Sequence, residues 1–325
     1  MSLFQLLEKH EIEKIHSTSI RILNEVGVRV FHDGILALLG EAGAVIDKTS
    51  NVARLDENLV LEAIEKAQKQ YTIYGRDQTK KVALGQGNII FMSSPGQYSW
   101  VDLDHKTRRE PTTSDLENAI AVGDALEHID IVGAMAVPAE IPVYYRDVYM
   151  TAQLVKRTTK PTRCWIASGR SARYILEIYK TVAGGSEALK RRPMIEAFIE
   201  PISPLQLPRT GLEILIEFTK AGLPVSFGPM VMASATGPAT LAGTLALENA
   251  EILAGIVCAQ LLQPGTPVTY GGIPHIMDQR TTLCSFGAPE VGIMAAAMAQ
   301  IAKFYGFPVY VNAGLTDSKL PDAQA

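Results

Sequence analysis

The chain has 325 residues, a formal net charge of -4, and 47% hydrophobic against 20% charged residues. That balance excludes disorder as the main state, and the slight acidity gives no electrostatic reason to bind nucleic acid or an anionic membrane. At about 150 residues per domain, the length fits two domains or one large barrel with additions.

The N-terminus, Met1 to Glu8, has no basic region leading into an apolar run, so no signal peptide is expected. Apolar stretches are interrupted before the ~18 residues of a membrane helix, and a cytoplasmic location is expected. Cys164, Cys258 and Cys284 are far apart and odd in number, which makes neither a disulfide framework nor a zinc cluster. The six histidines include no H-x-H or H-E-x-x-H pair, so no metal site is expected.

The first ~75 residues read as helical from their apolar spacing. Residues 11–26 place Ile12, Ile15, His16, Ile20, Leu23 and Val26 mostly on one face, and Gly27 follows as a C-cap. Residues 34–42 form a short helix ending at Gly43. Asp56 caps a third helix reaching Gln70, with Leu59, Leu61, Ile64 and Ala67 as its apolar positions. Short runs at 71–74, 88–92 and 98–103 then read as a small antiparallel layer. Residues 106–111 read as a polar turn, and Thr113 or Ser114 caps the next helix, with Leu116, Ile120 and Leu126 inward.

From residue 129 the pattern is regular. Apolar runs at 129–137, 161–168, 193–200, 224–232, 267–273 and 308–313 alternate with helical segments at 146–157, 172–182, 211–221, 240–262 and 290–305. Such alternation implies βα units and a parallel sheet buried on both faces. Five of the six runs open with Pro, which suits the first residue of a strand, and Gly222, Gly265 and Gly306 stop the preceding helices. No glycine fingerprint follows the first strand, so a (βα)8 TIM-type barrel is favoured over a doubly wound sheet. Six βα strands are countable, so the barrel reads as incomplete. The expected division is 1–128, helices plus a small sheet, and 129–325, the barrel portion.

Barrel active sites lie at the C-terminal ends of the strands, which selects candidates directly. Glu140 follows the first strand, and Trp165 and Ser168 end the second. Glu200 and Ser203 follow the third, and Ser234 and Thr236 the fourth. Tyr270, His275, Asp278 and Arg280 belong to the fifth, and Tyr310, Asn312, Thr316, Asp317 and Lys319 to the sixth. Glu200 could equally ion-pair inside the barrel mouth, and His275 could be a satisfied structural histidine. Asp278 and Arg280 could simply pair across a turn. Residues 234–243 are rich in small side chains, with Thr236 as a possible cap and Pro238 in the first helical turn. That helix start could hold an anion or merely pack tightly. Tyr98, Trp100, Trp165, Phe227, Tyr270 and Tyr310 could converge into a cage for a methylammonium group, although most single aromatics are core.

Several segments together resemble the trimethylamine methyltransferase family: Ile22-Leu-Asn-Glu-Val-Gly-Val28, Arg109-Glu-Pro-Thr-Thr-Ser-Asp-Leu116 and Pro201-Ile-Ser-Pro-Leu205. Thr236-Gly-Pro-Ala-Thr-Leu-Ala-Gly243, Leu247-Glu-Asn-Ala-Glu251 and Phe286-Gly-Ala-Pro-Glu290 continue it. The resemblance runs along essentially the whole chain. It implies a (βα)8 enzyme that moves a methyl group from a methylated amine to a corrinoid (cobalamin) carried by a separate small protein, with no tightly bound cofactor of its own. Archaeal trimethylamine enzymes of the family use pyrrolysine, and Leu320 stands at the equivalent position here. A quaternary amine such as glycine betaine is therefore the expected substrate. Tyr98, Trp165, Tyr270, Arg280, Thr236 and Asn312 are the expected substrate-binding residues, with Glu200 and His275 as catalytic candidates and a homo-oligomer as the expected assembly. The family also implies more chain after residue 325. That leaves an alternative, a non-catalytic or self-associating partial barrel with an exposed sheet edge. A weaker alternative is a barrel lyase using Glu200 and His275 in acid–base chemistry.

Overall fold

A computed structural model describes residues 5–102, 104, 107–312 and 315–318. The chain groups into two compact units. One comprises residues up to Lys69, Phe198–Thr219 and Val225–Asp317; the other comprises Gln70–Ala197 and Lys220–Pro224. The first unit thus unites the N-terminal helices with the later βα segments, so the compact units do not divide at residue 129.

The first unit opens with α1 (Lys9–Arg21), which continues into a π-helical turn at Ile22–Val26 and stops at Gly27, φ +85°. Ile12, Ile15, Ile20 and Leu23 are buried as their spacing requires, but Val26, assigned to the same face, is exposed. The helical start is then interrupted by strands the sequence did not reveal: β1 (Val28–Val30), β2 (Val45–Asp47) and β3 (Val52–Arg54), flanking α2 (Asp33–Glu41). Asp56 accepts a hydrogen bond from Leu59 N at 2.8 Å and caps α3 (Glu57–Lys66), as expected. The helix ends before Gln70, and its inner face is Val60, Ala63 and Ile64, while Leu61 is exposed.

The second unit begins with two antiparallel hairpins, β4 (Tyr71–Tyr74) with β5 (Lys81–Leu84), and β6 (Trp100–Asp102) with β7 (Thr107–Arg109). β7 replaces part of the expected polar turn. The run at 88–92 is not antiparallel: Met92 and Gln97 bridge Ile131 and Ala136 in parallel sense. Arg109 forks onto Asp115 at 2.6 and 2.9 Å and reaches Asp102 at 2.7 Å. Asp115 also accepts from Thr112 N, so Thr112, not Thr113 or Ser114, caps α4 (Thr113–Ala125) in a capping box. Leu116 and Ile120 face inward, but Leu126 is exposed. β8 (Val132–Gly133) then pairs in parallel with β9 (Thr162–Arg163), each followed by its helix: α5 (Arg146–Arg157) and α6 (Gly169–Ala183), with a short α7 (Ser186–Arg191) after them.

The remaining elements are β10 (Ala197–Ile199), β11 (Gln206–Leu207), α8 (Arg209–Lys220), β12 (Val225–Phe227) and β13 (Met232–Ala233). After them come α9 (Leu241–Leu262), β14 (Val268–Tyr270), β15 (His275–Asp278), β16 (Leu283–Ser285) and α10 (Pro289–Tyr305). β11 joins β1 in parallel, giving a sheet ordered β11-β1-β3-β2. A second sheet is ordered β10-β12-β14, with Val225–Phe227 in parallel register with Val268–Tyr270. The sixth apolar run extends it: Tyr270 N–H donates to Pro308 O and Tyr310 N–H to Tyr270 O, both at 2.9 Å. The fold is therefore α/β with repeated parallel pairing, and among the described residues the strands do not close into a ring. α9 is long and apolar enough by composition to cross a membrane, contrary to the expectation of no such run, but it is almost wholly buried in the first unit. Its cap is Thr240, which accepts from Gly243 N at 3.2 Å; Thr236 and Pro238 lie before the helix.

Candidate active site

The β10-β12-β14 sheet has a helix-facing side. Ile199 packs toward α8, where a Cβ on Gly211 would sit 3.1 Å from its Cγ2. Phe227 packs toward α9, where the ring leaves no room for a side chain at Gly255. The fully buried Tyr270 donates to Asn249 Oδ1 of α9 at 2.8 Å, and its ring lies 6.1 Å from that of Tyr305 on α10. Strand side chains alternate, so Phe198, Ser226 and Thr269 leave the opposite face. This corrects the expected aromatic cage. Phe227 and Tyr270 are core residues turned toward helices, and Tyr270, expected to bind substrate, has its hydroxyl committed to Asn249.

On the opposite face the Phe198 ring lies against Tyr310, centroids 6.1 Å apart, and over Gly228. Glu200, two residues beyond Phe198, is half-buried. Burial pushes its carboxyl above the ordinary glutamate range, and among the described residues it has no hydrogen-bond or ion-pair partner. Two adjacent rings at a strand end, with a half-buried acid two residues along the chain, are an arrangement suited to a methylated cation. Phe198 was missed in the sequence, because only the orientation of Ile199 toward α8 reveals which way Phe198 points.

The other predicted residues are placed as follows. His275 is buried; its Nδ1 donates to Ile273 O at 2.7 Å, and its ring stacks on Phe286 at 5.5 Å. Thr236 is exposed, and its Oγ1 accepts from Met232 N at 2.9 Å instead of capping α9. Arg280 is exposed, and Asp278 accepts from its backbone N–H at 2.9 Å, so the two pair across a turn through the Arg280 backbone. Asn312 is half-buried just after Tyr310. Asp317 accepts from Phe286 N and Gly287 N ahead of α10. Tyr98 and Trp165 belong to the second unit. There Tyr98 is 71% exposed, and Trp165 donates from Nε1 to Gly96 O at 3.1 Å. Glu140 accepts from Thr113 N and Oγ1, reinforcing the start of α4. Leu320 and Lys319 lie outside the described residues. Among the described residues, no group of His, Cys, Asp or Glu is arranged to hold a metal ion.

Two site-supporting residues were not selected from the sequence. Glu248 and Glu251, inside α9, are both fully buried. Glu248 accepts from Val231 N at 3.0 Å and Ile273 N at 2.9 Å; Glu251 accepts from Ser203 Oγ and Leu205 N, both at 2.7 Å. Burial pushes Glu251 up to about 7, and burial with the nearby Glu251 pushes Glu248 well up. A signal for them existed: they are the only charged residues in an otherwise apolar 22-residue helix, and such a helix is buried on all sides.

The whole chain, residues 1–325, matches the family model for trimethylamine methyltransferase (MTTB). It is 34% identical to a glycine betaine methyltransferase of Desulfitobacterium hafniense (strain Y51), covering 99% of this chain and 67% of that one. It is 33% identical to a trimethylamine methyltransferase MttB of another strain of D. hafniense, covering 97% and 64%, and 30% identical to one from Methanosarcina barkeri, covering 98% and 66%. The chain spans about two thirds of the length of these relatives. Its fold resembles the crystal structure of the M. barkeri monomethylamine methyltransferase MtmB, with a TM-score of 0.62 at 12% identity, covering 94% of this chain and 61% of that one. The hydroxylamine complex of MtmB gives 0.61 at 11% identity, covering 95% and 62%. The chain belongs to the trimethylamine methyltransferase family.

Proposed function

We propose that the chain forms the amine-binding part of a (βα)8 methyltransferase that moves a methyl group from a quaternary amine, such as glycine betaine, to the cobalt of a corrinoid carried on a separate protein. The observation that carries this reading is the Phe198–Tyr310 ring pair, with the half-buried Glu200 two residues beyond Phe198, in a chain that matches the family from end to end. Each ring contributes on the order of 0.5–2 kcal/mol to holding a desolvated cation. The Glu200 carboxylate, once ionised, adds an attraction that a neutral amine would not feel.

The reaction class follows from leaving-group chemistry. Cobalt(I) is the nucleophile and supplies both electrons of the new cobalt–carbon bond; the nitrogen keeps the electrons of the broken carbon–nitrogen bond. A quaternary ammonium therefore departs as a neutral tertiary amine and needs no proton. A neutral tertiary amine needs prior activation, and an apolar Leu320 supplies none. The protein's part is to orient the donor, which accounts for a site without an activated nucleophile. Arg280 or the segment near Thr236 is available for a substrate carboxylate.

The test is a cobalt spectral assay. Reduced corrinoid protein, or cob(I)alamin as a surrogate, is mixed with the chain and either glycine betaine or trimethylamine. Formation of methylcobalt(III) with glycine betaine alone is expected. Methylation by trimethylamine and not by glycine betaine overturns the quaternary-amine reading.

A further inference from the structure

Glu248 and Glu251 sit one turn apart on α9, and among the described residues neither is paired with a cation. Each instead holds a strand-end loop. Glu248 Oε2 accepts from Val231 N, in the loop after β12, and its Oε1 accepts from Ile273 N, in the loop after β14. Gly272, at φ +151°, makes the second approach possible, because a Cβ there would lie 2.9 Å from Glu248 Oε1. Glu251 holds Ser203 and Leu205, in the loop that begins at Glu200 after β10. All three loops that follow this sheet are tied to one helix by buried carboxyl groups. In a buried setting such bonds are strong and their loss is costly.

We propose that Glu248 and Glu251 are positioning residues that fix the loops after β10, β12 and β14, and with the first of them Glu200, in the geometry methyl transfer requires. This rests on the methyltransferase reading above. The chemistry of the two anchors differs, which makes the proposal specific. Glu248 faces two N–H donors, so both its oxygens must accept. A glutamine there offers one acceptor and turns an NH2 group against an N–H. Glu251 faces one N–H and one hydroxyl. A glutamine there accepts from Leu205 N and donates to Ser203 Oγ, because a hydroxyl serves in either sense.

The experiment compares Glu248→Gln, Glu251→Gln and Glu251→Ala in the full chain. It reads kcat and KM for cob(I)alamin methylation, thermal unfolding, and amide exchange at the loops. Misplacing reacting groups by about 1 Å costs on the order of 100-fold, so Glu248→Gln and Glu251→Ala are expected to lower kcat by about that factor, with KM moved far less. Glu251→Gln is expected to stay within about threefold of the parent chain, because its hydrogen bonds are kept. Exchange should rise at Val231 and Ile273 in Glu248→Gln, and at Leu205 in Glu251→Ala only. Equal losses in Glu251→Gln and Glu251→Ala overturn the proposal, as do freed loop amides with unchanged kcat. A parent chain that leaves cobalt unmethylated with every methylated amine supplied, while its variants show the expected exchange pattern, overturns the methyltransferase reading and leaves the loop anchors supported.

Discussion

The ring of Phe198 fills the space that any side chain at position 228 would need: a Cβ on Gly228 would lie 2.4 Å from both Cε2 and Cζ of Phe198. β10 is thus packed through a missing side chain at the end of β12, and Phe198 is held against Tyr310. Gly228→Ala is expected to push Phe198 off this position and to destabilise the fold by about 1–3 kcal/mol, the usual range for overpacking. Phe198→Leu in the same chain should restore most of that loss, because a shorter side chain clears the new methyl. Urea unfolding of both single variants and the double variant checks this. Strict additivity would show that the two positions do not share the space.

Asn249 forms the centre of a buried polar cluster in the first unit. Its Oδ1 accepts from Tyr270, and its Nδ2 donates to Ser19 Oγ at 2.9 Å and Tyr305 Oη at 3.0 Å. Tyr305 in turn meets His16 Nδ1 at 2.8 Å. Asn249→Ala removes every one of these partners at once, and a loss of about 2–4 kcal/mol is expected from the stranded groups. Tyr270→Phe removes one donor and should cost only about 1 kcal/mol. Equal losses in the two variants, measured by thermal unfolding, would contradict a hub at Asn249.

The βα alternation was legible because amphipathic helices and Pro-opened apolar runs have different periods; α5 falls on the expected 146–157. The strands at Val28–Val30, Val45–Asp47 and Thr107–Arg109 were not, since three residues, some of them exposed, carry no usable period. The parallel partnership of 92–97 with 131–136 is non-local, and no local pattern encodes it. For the site, the rule that barrel chemistry sits at strand ends selects Glu200 as a candidate. It could not choose between the two faces of a strand, so Tyr270 was assigned to substrate while it faces Asn249, and Phe198 was passed over. Glu248 and Glu251 were read as part of a motif with no role, although charge inside an apolar helix demands a partner.

Arg163 and Glu196 form a buried ion pair at 3.0 Å in the second unit, both nearly inaccessible, and Tyr71 donates to the other Glu196 oxygen at 2.5 Å. Removing one member strands a buried charge. Glu196→Ala is expected to cost about 3–5 kcal/mol. Replacing the set together, as Arg163→Met with Glu196→Leu and Tyr71→Phe, is expected to recover most of that loss, because the buried charges leave together. Denaturant unfolding distinguishes the outcomes; a triple variant no more stable than Glu196→Ala would mean the cluster contributes through geometry that apolar groups cannot replace.

The buried glutamates of α9 also set a pH dependence with a definite sign. An unfolded glutamate titrates near about 4.3, whereas burial raises Glu251 in the fold to about 7. Between those values the folded chain binds more protons than the unfolded one, so stability is full below about pH 4.3 and falls as pH rises to about 7. Burial, with the nearby Glu251, shifts Glu248 in the same direction, so it adds to the decline. Asp115 works oppositely: Arg109 and the Thr112 N–H hold it far below the ordinary aspartate range. Its contribution is present above an unfolded value of about 3.9 and is lost only as pH falls below it, outside the glutamate window. Glu251→Gln removes one of the two buried acids while keeping its hydrogen bonds. Its unfolding midpoint in urea should therefore fall less steeply than the parent's between about pH 4.5 and 7. An identical slope in the two chains would show that Glu251 does not take up a proton in the folded state within this range.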